Sequence, residues 1–170
     1  MAQHQNYYGY SYMYRSTDAI AWVKGGPLAP QVYGRVYFKD IPEGTMVCAD
    51  IYGLPAYQPA SEMQSQIGPH GFHIHEKGDC TEGTITDPFP ATGMHWNPDN
   101  QPHGNHAGDF PVLFSNGGHE QMCFTTKRFK PADIIGRSVI IHQSPDDYRT
   151  QPSGNSGKKL ACGVINPTGH

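Results

Sequence analysis

Ten histidines stand among the 170 residues, and most of them lie between His70 and His142. The first close pair is in the run Gly71-Phe72-His73-Ile74-His75-Glu76-Lys77-Gly78-Asp79-Cys80. That run alternates as a strand does, and residues two apart in a strand point to one face. His73 and His75 therefore aim two imidazoles at one spot from a rigid backbone. Imidazole is a common neutral ligand for a borderline transition ion. Alone, His-x-His is a weak signal and also reads as two ordinary histidines on a polar strand face. Further along come His95, His103, His106 and Asp109. Three neutral nitrogens and one carboxylate make a closed tetrahedral shell for Zn²⁺. His106 and Asp109 are three apart, close enough to reach one ion from a tight turn. His73 and His75 still need partners, and His142 ends a strand at the mouth of another loop. One ion cannot use six histidines and one aspartate. Two ions can, if one imidazole is shared through its two nitrogens.

The elements that must position these groups read as short strands. Residues 19–24, 31–38, 45–52, 71–75, 110–114, 121–126, 138–142 and 160–165 carry strand patterns, eight in all. Val32, Val36 and Phe38 share one side of the second. Val47, Ala49 and Ile51 form the core face of the third. Ser115-Asn116-Gly117-Gly118 is a hairpin signal. There is no convincing helix, so the fold class is all-β, an antiparallel sandwich or barrel. Residues 76–108 show little periodicity, which is unusual in a compact domain. His95, His103 and His106 lie within that stretch, and metal binding would order it. A second polar loop spans residues 143–158.

Bulk composition narrows the function classes. The chain is long enough for one domain with a real core. Glycine (20) and proline (15) are plentiful, as expected for many turns. The formal net charge is −3, which argues against a nucleic-acid partner. No apolar run approaches the roughly 18 residues of a membrane span, so no membrane partner is expected. Residues 1–14 are polar and tyrosine-rich, with no apolar signal core. The chain is thus expected in the cytoplasm by default, or at a cell surface or outside the cytoplasm by another route. The four cysteines, Cys48, Cys80, Cys123 and Cys162, form no Cys-x-x-Cys pair, so a thiolate zinc site is not expected.

The chain resembles the copper–zinc superoxide dismutases over roughly residues 18–165. The motifs that carry the likeness begin with Gly71 to Cys80, quoted above. They continue with His95-Trp96-Asn97-Pro98, His103-Gly104 and His106-Ala107-Gly108-Asp109. Gly136-Arg137-Ser138-Val139-Ile140-Ile141-His142 follows. The last is Gly154-Asn155-Ser156-Gly157-Lys158-Lys159-Leu160-Ala161-Cys162-Gly163-Val164-Ile165. The resemblance implies an eight-stranded antiparallel Greek-key barrel with long metal-binding and electrostatic loops. It divides the chain into a tyrosine-rich arm (residues 1–17), the dismutase-like domain (18–166) and a short tail (167–170). It implies one copper per chain on His73, His75, His95 and His142. It implies one zinc per chain on His95, His103, His106 and Asp109, with His95 as the bridge. Asp146 matches a carboxylate that hydrogen-bonds one histidine of each metal. Cys80 and Cys162 match the family's disulfide. Cys48 and Cys123 are outside the family pattern. They fall on neighbouring strands by alignment, as a second disulfide or as two free thiols.

The implied activity is disproportionation of two superoxide anions to oxygen and hydrogen peroxide, by Cu(II)/Cu(I) cycling with structural zinc. His95 would supply a proton to the outgoing peroxide. Family members place an arginine just before the Leu-Ala-Cys segment to attract the anion. Here that position is Lys159, which keeps the charge and loses the bidentate fork. The other reading is a non-catalytic copper or zinc binding or coat protein using the same ligands. The arm, with Tyr7, Tyr8, Tyr10, Tyr12 and Tyr14, could serve attachment or cross-linking. His70 is expected to be buried beside the site; His4, His119 and His170 are expected at the surface. The resemblance is compatible with a monomer or a homodimer.

Overall fold

The computed structural model describes residues 17–169. The tyrosine-rich arm, His4 and His170 lie outside the described residues. Among the described residues, seven strands form one curled antiparallel sheet. They are β1 (Ala19–Gly25), β2 (Tyr33–Ile41), β3 (Gly44–Tyr52), β4 (Phe72–His75), β5 (His119–Thr126), β6 (Ser138–His142) and β7 (Lys159–Pro167). Their order across the sheet is β4-β6-β7-β1-β2-β3-β5. The only helical elements among the described residues are two 3₁₀ turns, Pro90–Thr92 and Pro131–Ile134. β7 runs through Pro167, and Thr168 donates its N–H to Asp18 O, so the sheet reaches into the expected tail.

The eighth expected strand, residues 110–114, is present only as isolated bridges. His70 and Leu113 exchange both backbone bonds at 2.8 and 2.9 Å, and Phe110 N–H reaches Phe72 O at 3.2 Å. Pro111 has no N–H to give, which breaks a regular ladder there. The segment still lies along β4, at one edge of the sheet, and leads by its turn into β5, at the other edge. It thus draws the two edges of the sheet together.

Alternation decides what each strand buries. Val36 and Phe38 of β2, and Val47, Ala49 and Ile51 of β3, all face the core. Phe72 and Ile74 of β4 meet Val139 and Ile141 of β6 there, with Phe110, Leu113, Leu160 and Ile165. Fully burying each of these valine, leucine, isoleucine and phenylalanine side chains contributes about 1.5–3 kcal/mol. On β4 and β6 the other face is buried too, because the loops of residues 76–108 and 143–158 fold over it. That second face carries His73, His75, Ile140 and His142, each no more than 4 % exposed.

Two disulfides fasten this frame. Cys80–Cys162 ties the first loop to β7. Cys48–Cys123 joins directly opposed residues of β3 and β5. Of the two readings the sequence left open for Cys48 and Cys123, the structure shows the disulfide.

Candidate metal centre

Strand β4 delivers two histidines because its period of two sends Phe72 and Ile74 inward and His73 and His75 outward. Register sets Ile140 of β6 opposite His73, and His142 follows two residues later on that face. The long loop is pinned to β4 by its backbone. Ile74 donates its N–H to Gly108 O (2.9 Å) and accepts from Trp96 N–H (2.8 Å), while Glu76 N–H reaches Met94 O (3.0 Å). These bonds lay His95 beside His75 and Asp109 beside His73. The buried Trp96 anchors the segment, with the Arg137 guanidinium 4.7 Å above its ring.

Two ligand groups result among the described residues: His73, His75, His95 and His142, and His95, His103, His106 and Asp109. Within each, the candidate ligand atoms lie within 4.8 Å of one another, and His95 belongs to both. The His95 ring sits 3.9 Å from His73 and 5.2 Å from His103, centroid to centroid.

The hydrogen bonds fix which nitrogen of each ring is free. His75 Nδ1 donates to Gly93 O (2.9 Å) and His142 Nδ1 to Gly157 O (3.1 Å). Each Nε2 is then a bare lone pair, and the two face each other at 3.3 Å. Such a contact is repulsive unless a cation lies between them. His73 and His103 each donate from Nε2 to one oxygen of Asp146, both at 2.8 Å. Their Nδ1 atoms, with His95 Nε2 and His106 Nδ1, are buried and have no hydrogen-bond partner. Buried polar atoms are nearly always paired. Four orphans converging on two points suit metal ions.

The second group also has the dimensions of a zinc shell. Asp109 Oδ1 lies 3.1 Å from His95 Nδ1 and 3.3 Å from His106 Nδ1, and Asp109 Oδ2 lies 3.2 Å from His103 Nδ1. Ligand bonds of about 2.0–2.1 Å in a tetrahedron give ligand–ligand edges of about 3.3–3.4 Å. The donor set and its spacing therefore fit that ion.

Protonation favours the same reading. Burial, then the neighbouring His95 and His142, hold His73 well below the usual imidazole range. Burial, then His142 and His95, do the same to His75. His142 is pushed down to about 3, by burial and then by His95. Burial lowers His106 despite the pull of Asp109. Burial alone would raise Asp109, but its bond to His95 and the adjacent His103, His95 and His106 leave it lowered. Neutral rings and an ionised carboxylate are the forms that bind metal.

Lys159 arrives on this side through an irregularity the sequence did not reveal. Ile141 pairs with Ala161, but His142 pairs with Lys159, so β7 carries one extra residue. The bulge leaves Leu160 in the core and turns Lys159 to the face of His142. Its Nζ donates to Phe89 O (3.1 Å) and Thr92 Oγ1 (2.8 Å), and burial lowers its pKa. Gly154, which opens the last of the family motifs, lies against Asp146 and His103. At φ +66° its missing Cβ leaves room for Asp146 Oδ1 and His103 Nε2. His70 is fully buried, with Nδ1 2.8 Å from His142 O, so it braces the strand end. His119, expected at the surface, is half-sheltered: it stacks on Tyr52 at 4.2 Å and bonds Asp50 at 3.0 Å.

Comparison with known proteins places the chain in a family. The model of the copper/zinc superoxide dismutases (SODC) matches residues 32–165. A Cu-Zn superoxide dismutase of Deinococcus radiodurans is 37 % identical, the match covering 79 % of this chain and 78 % of that one. One of Legionella pneumophila is 35 % identical, covering 80 % and 79 %. The solved structure of a Cu/Zn superoxide dismutase from Brucella abortus superposes with a TM-score of 0.68. It is 27 % identical over 86 % of this chain and 99 % of that chain. The chain belongs to the copper/zinc superoxide dismutase family.

Proposed function

We propose that the chain disproportionates superoxide to oxygen and hydrogen peroxide, with one copper held by His73, His75, His95 and His142. One zinc is held by His95, His103, His106 and Asp109. The observation that carries the reading is His95, whose two ring nitrogens serve two adjoining ligand groups. Copper supplies the one-electron change between Cu(II) and Cu(I), and zinc, which has no redox chemistry, orders the loop.

The residues supply the remainder. A chain of net charge −3 repels an anion, so a local positive field must draw superoxide in. Lys159 provides it beside His142, with its ammonium tethered to Phe89 O and Thr92 Oγ1. As a point charge it orients the anion less strictly than a guanidinium would. His95 Nε2, buried and without a hydrogen-bond partner, is the atom that would take up a proton when it is not ligating copper and pass it to the outgoing peroxide. Asp146 keeps His73 and His103 in the tautomer that presents Nδ1.

The test is superoxide decay measured with protein loaded with both metals. Many equivalents consumed per copper are expected. Consumption that stops at the copper equivalents would instead mark a carrier built on the same ligands.

A further inference from the structure

The two ligand groups are held in different ways. His73, His75 and His142 stand on strands, where the β4–β6 register fixes their backbones. His103 and His106 stand in a loop with no ladder beneath them. Their main chains are held by two side chains from elsewhere in the sequence. Gln151, from the second loop, pairs its carboxamide with the His103 backbone in both directions. Its Oε1 accepts from His103 N–H at 2.8 Å, and its Nε2 donates to His103 O at 3.3 Å. Arg128, just beyond β5, donates from Nη1 to His106 O at 2.7 Å and from Nη2 to Asn105 Oδ1 at 3.3 Å.

We infer that Gln151 and Arg128 are positioning residues that set how long zinc stays in the loop group. The inference rests on the proposed assignment of zinc to that group. Neither side chain touches a ligand nitrogen. Each acts by removing backbone freedom from a ligating residue, so that a ring which leaves the ion returns to it instead of swinging away. Removing a partner that hydrogen-bonds a ligating group itself costs about 10–100-fold in metal affinity, and a partner that holds only the backbone of that residue should cost no more than the lower end. Both side chains are exposed, so an effect at the lower end, about tenfold per variant, is expected.

The test follows zinc release from protein loaded with copper and zinc, using an excess of a chromophoric chelator. Gln151→Ala and Arg128→Ala are each expected to release zinc about tenfold faster than the parent, while copper in the strand group is retained as in the parent. Gln151→Glu keeps the acceptor for His103 N–H and loses the donor to His103 O, so it should fall between. Arg128→Lys, one donor in place of two, should also fall between. Thermal unfolding of the metal-free variants separates positioning from mere support. Parent-like unfolding of metal-free protein with faster zinc release bears the inference out. Zinc release within twofold of the parent overturns it, as does an equal loss of stability with and without metal. A parent chain that takes up no zinc in the loop group would instead sink the zinc assignment itself.

Discussion

Asp146→Asn tests how the two ligand groups are joined behind the metals. The Asp146 carboxylate accepts from His73 Nε2 through one oxygen and from His103 Nε2 through the other, both at 2.8 Å, and is 5 % exposed. An amide is nearly the same shape but offers only one acceptor. The ring left facing the NH₂ must give up its hydrogen bond or move its proton to Nδ1, the atom aimed at the metal. A hydrogen bond to a charged group contributes about 1.5–3 kcal/mol, so losing one corresponds to about 10–100-fold in metal affinity. His73 keeps its place through the β4 ladder, whereas His103 sits in a loop, so the loss should fall chiefly on zinc. The assay is equilibrium competition for zinc and for copper against a chelator of known affinity, with circular dichroism to confirm the fold. Zinc affinity within twofold of the parent in folded Asp146→Asn protein would refute the reasoning. So would a larger loss at copper than at zinc.

Other outcomes follow from the same geometry. Lys159→Glu reverses the charge beside His142, and should lower the rate constant for superoxide decay by about 10-fold or more at low salt, less at high salt; a parent-like rate at low salt would exclude the role. Cys123 is exposed whereas Cys162 is 2 % exposed, so a mild soluble reductant should open Cys48–Cys123 before Cys80–Cys162, as read by alkylation and mass spectrometry. Replacing Cys80 and Cys162 by serine frees a span of 82 residues, which costs about 4–5 kcal/mol in the chain-entropy picture, measurable by denaturant unfolding. In metal-free protein the unfolded chain's histidines take up protons near pH ~6.5. Folded His142 resists protonation down to about 3, and His73 and His75 are also held well below the usual range. The unfolded state therefore binds more protons between those limits, and stability should fall as pH drops from about 6.5, by up to about 1.4 kcal/mol per unit for each such histidine. A flat unfolding midpoint from about pH 6 to about pH 4 would contradict this.

The strands and the core were legible because alternation is local: Val47, Ala49 and Ile51 declare the inner face of β3 without reference to any neighbour. The pairs His73/His75 and His106/Asp109 were legible for a related reason, since their spacings act within a few residues, whereas the joining of His95 and His142 to His73 and His75 was implied only by the family resemblance. What escaped was set by distant backbone. The bulge that turns Lys159 outward is a matter of β6–β7 register. Pro111 leaves residues 110–114 with strand-like composition but no regular ladder. The burial of both faces of β4 depends on loops whose course nothing local specifies. Gln151 and Arg128 look like ordinary exposed polar residues until the loops meet. His119 reads as a surface group and keeps 40 % of its side chain exposed, but its partners Asp50 and Tyr52 on β3 cannot be read locally.

The claim on which the account turns is that the ring of residue 95 is shared. It can be tested by filling both ligand groups with Cu(II) and recording the electron paramagnetic resonance spectrum. Two unpaired electrons linked through one imidazolate should appear as an exchange-coupled pair in the parent and as uncoupled copper in His95→Ala. Two independent copper signals in the fully loaded parent would contradict the account.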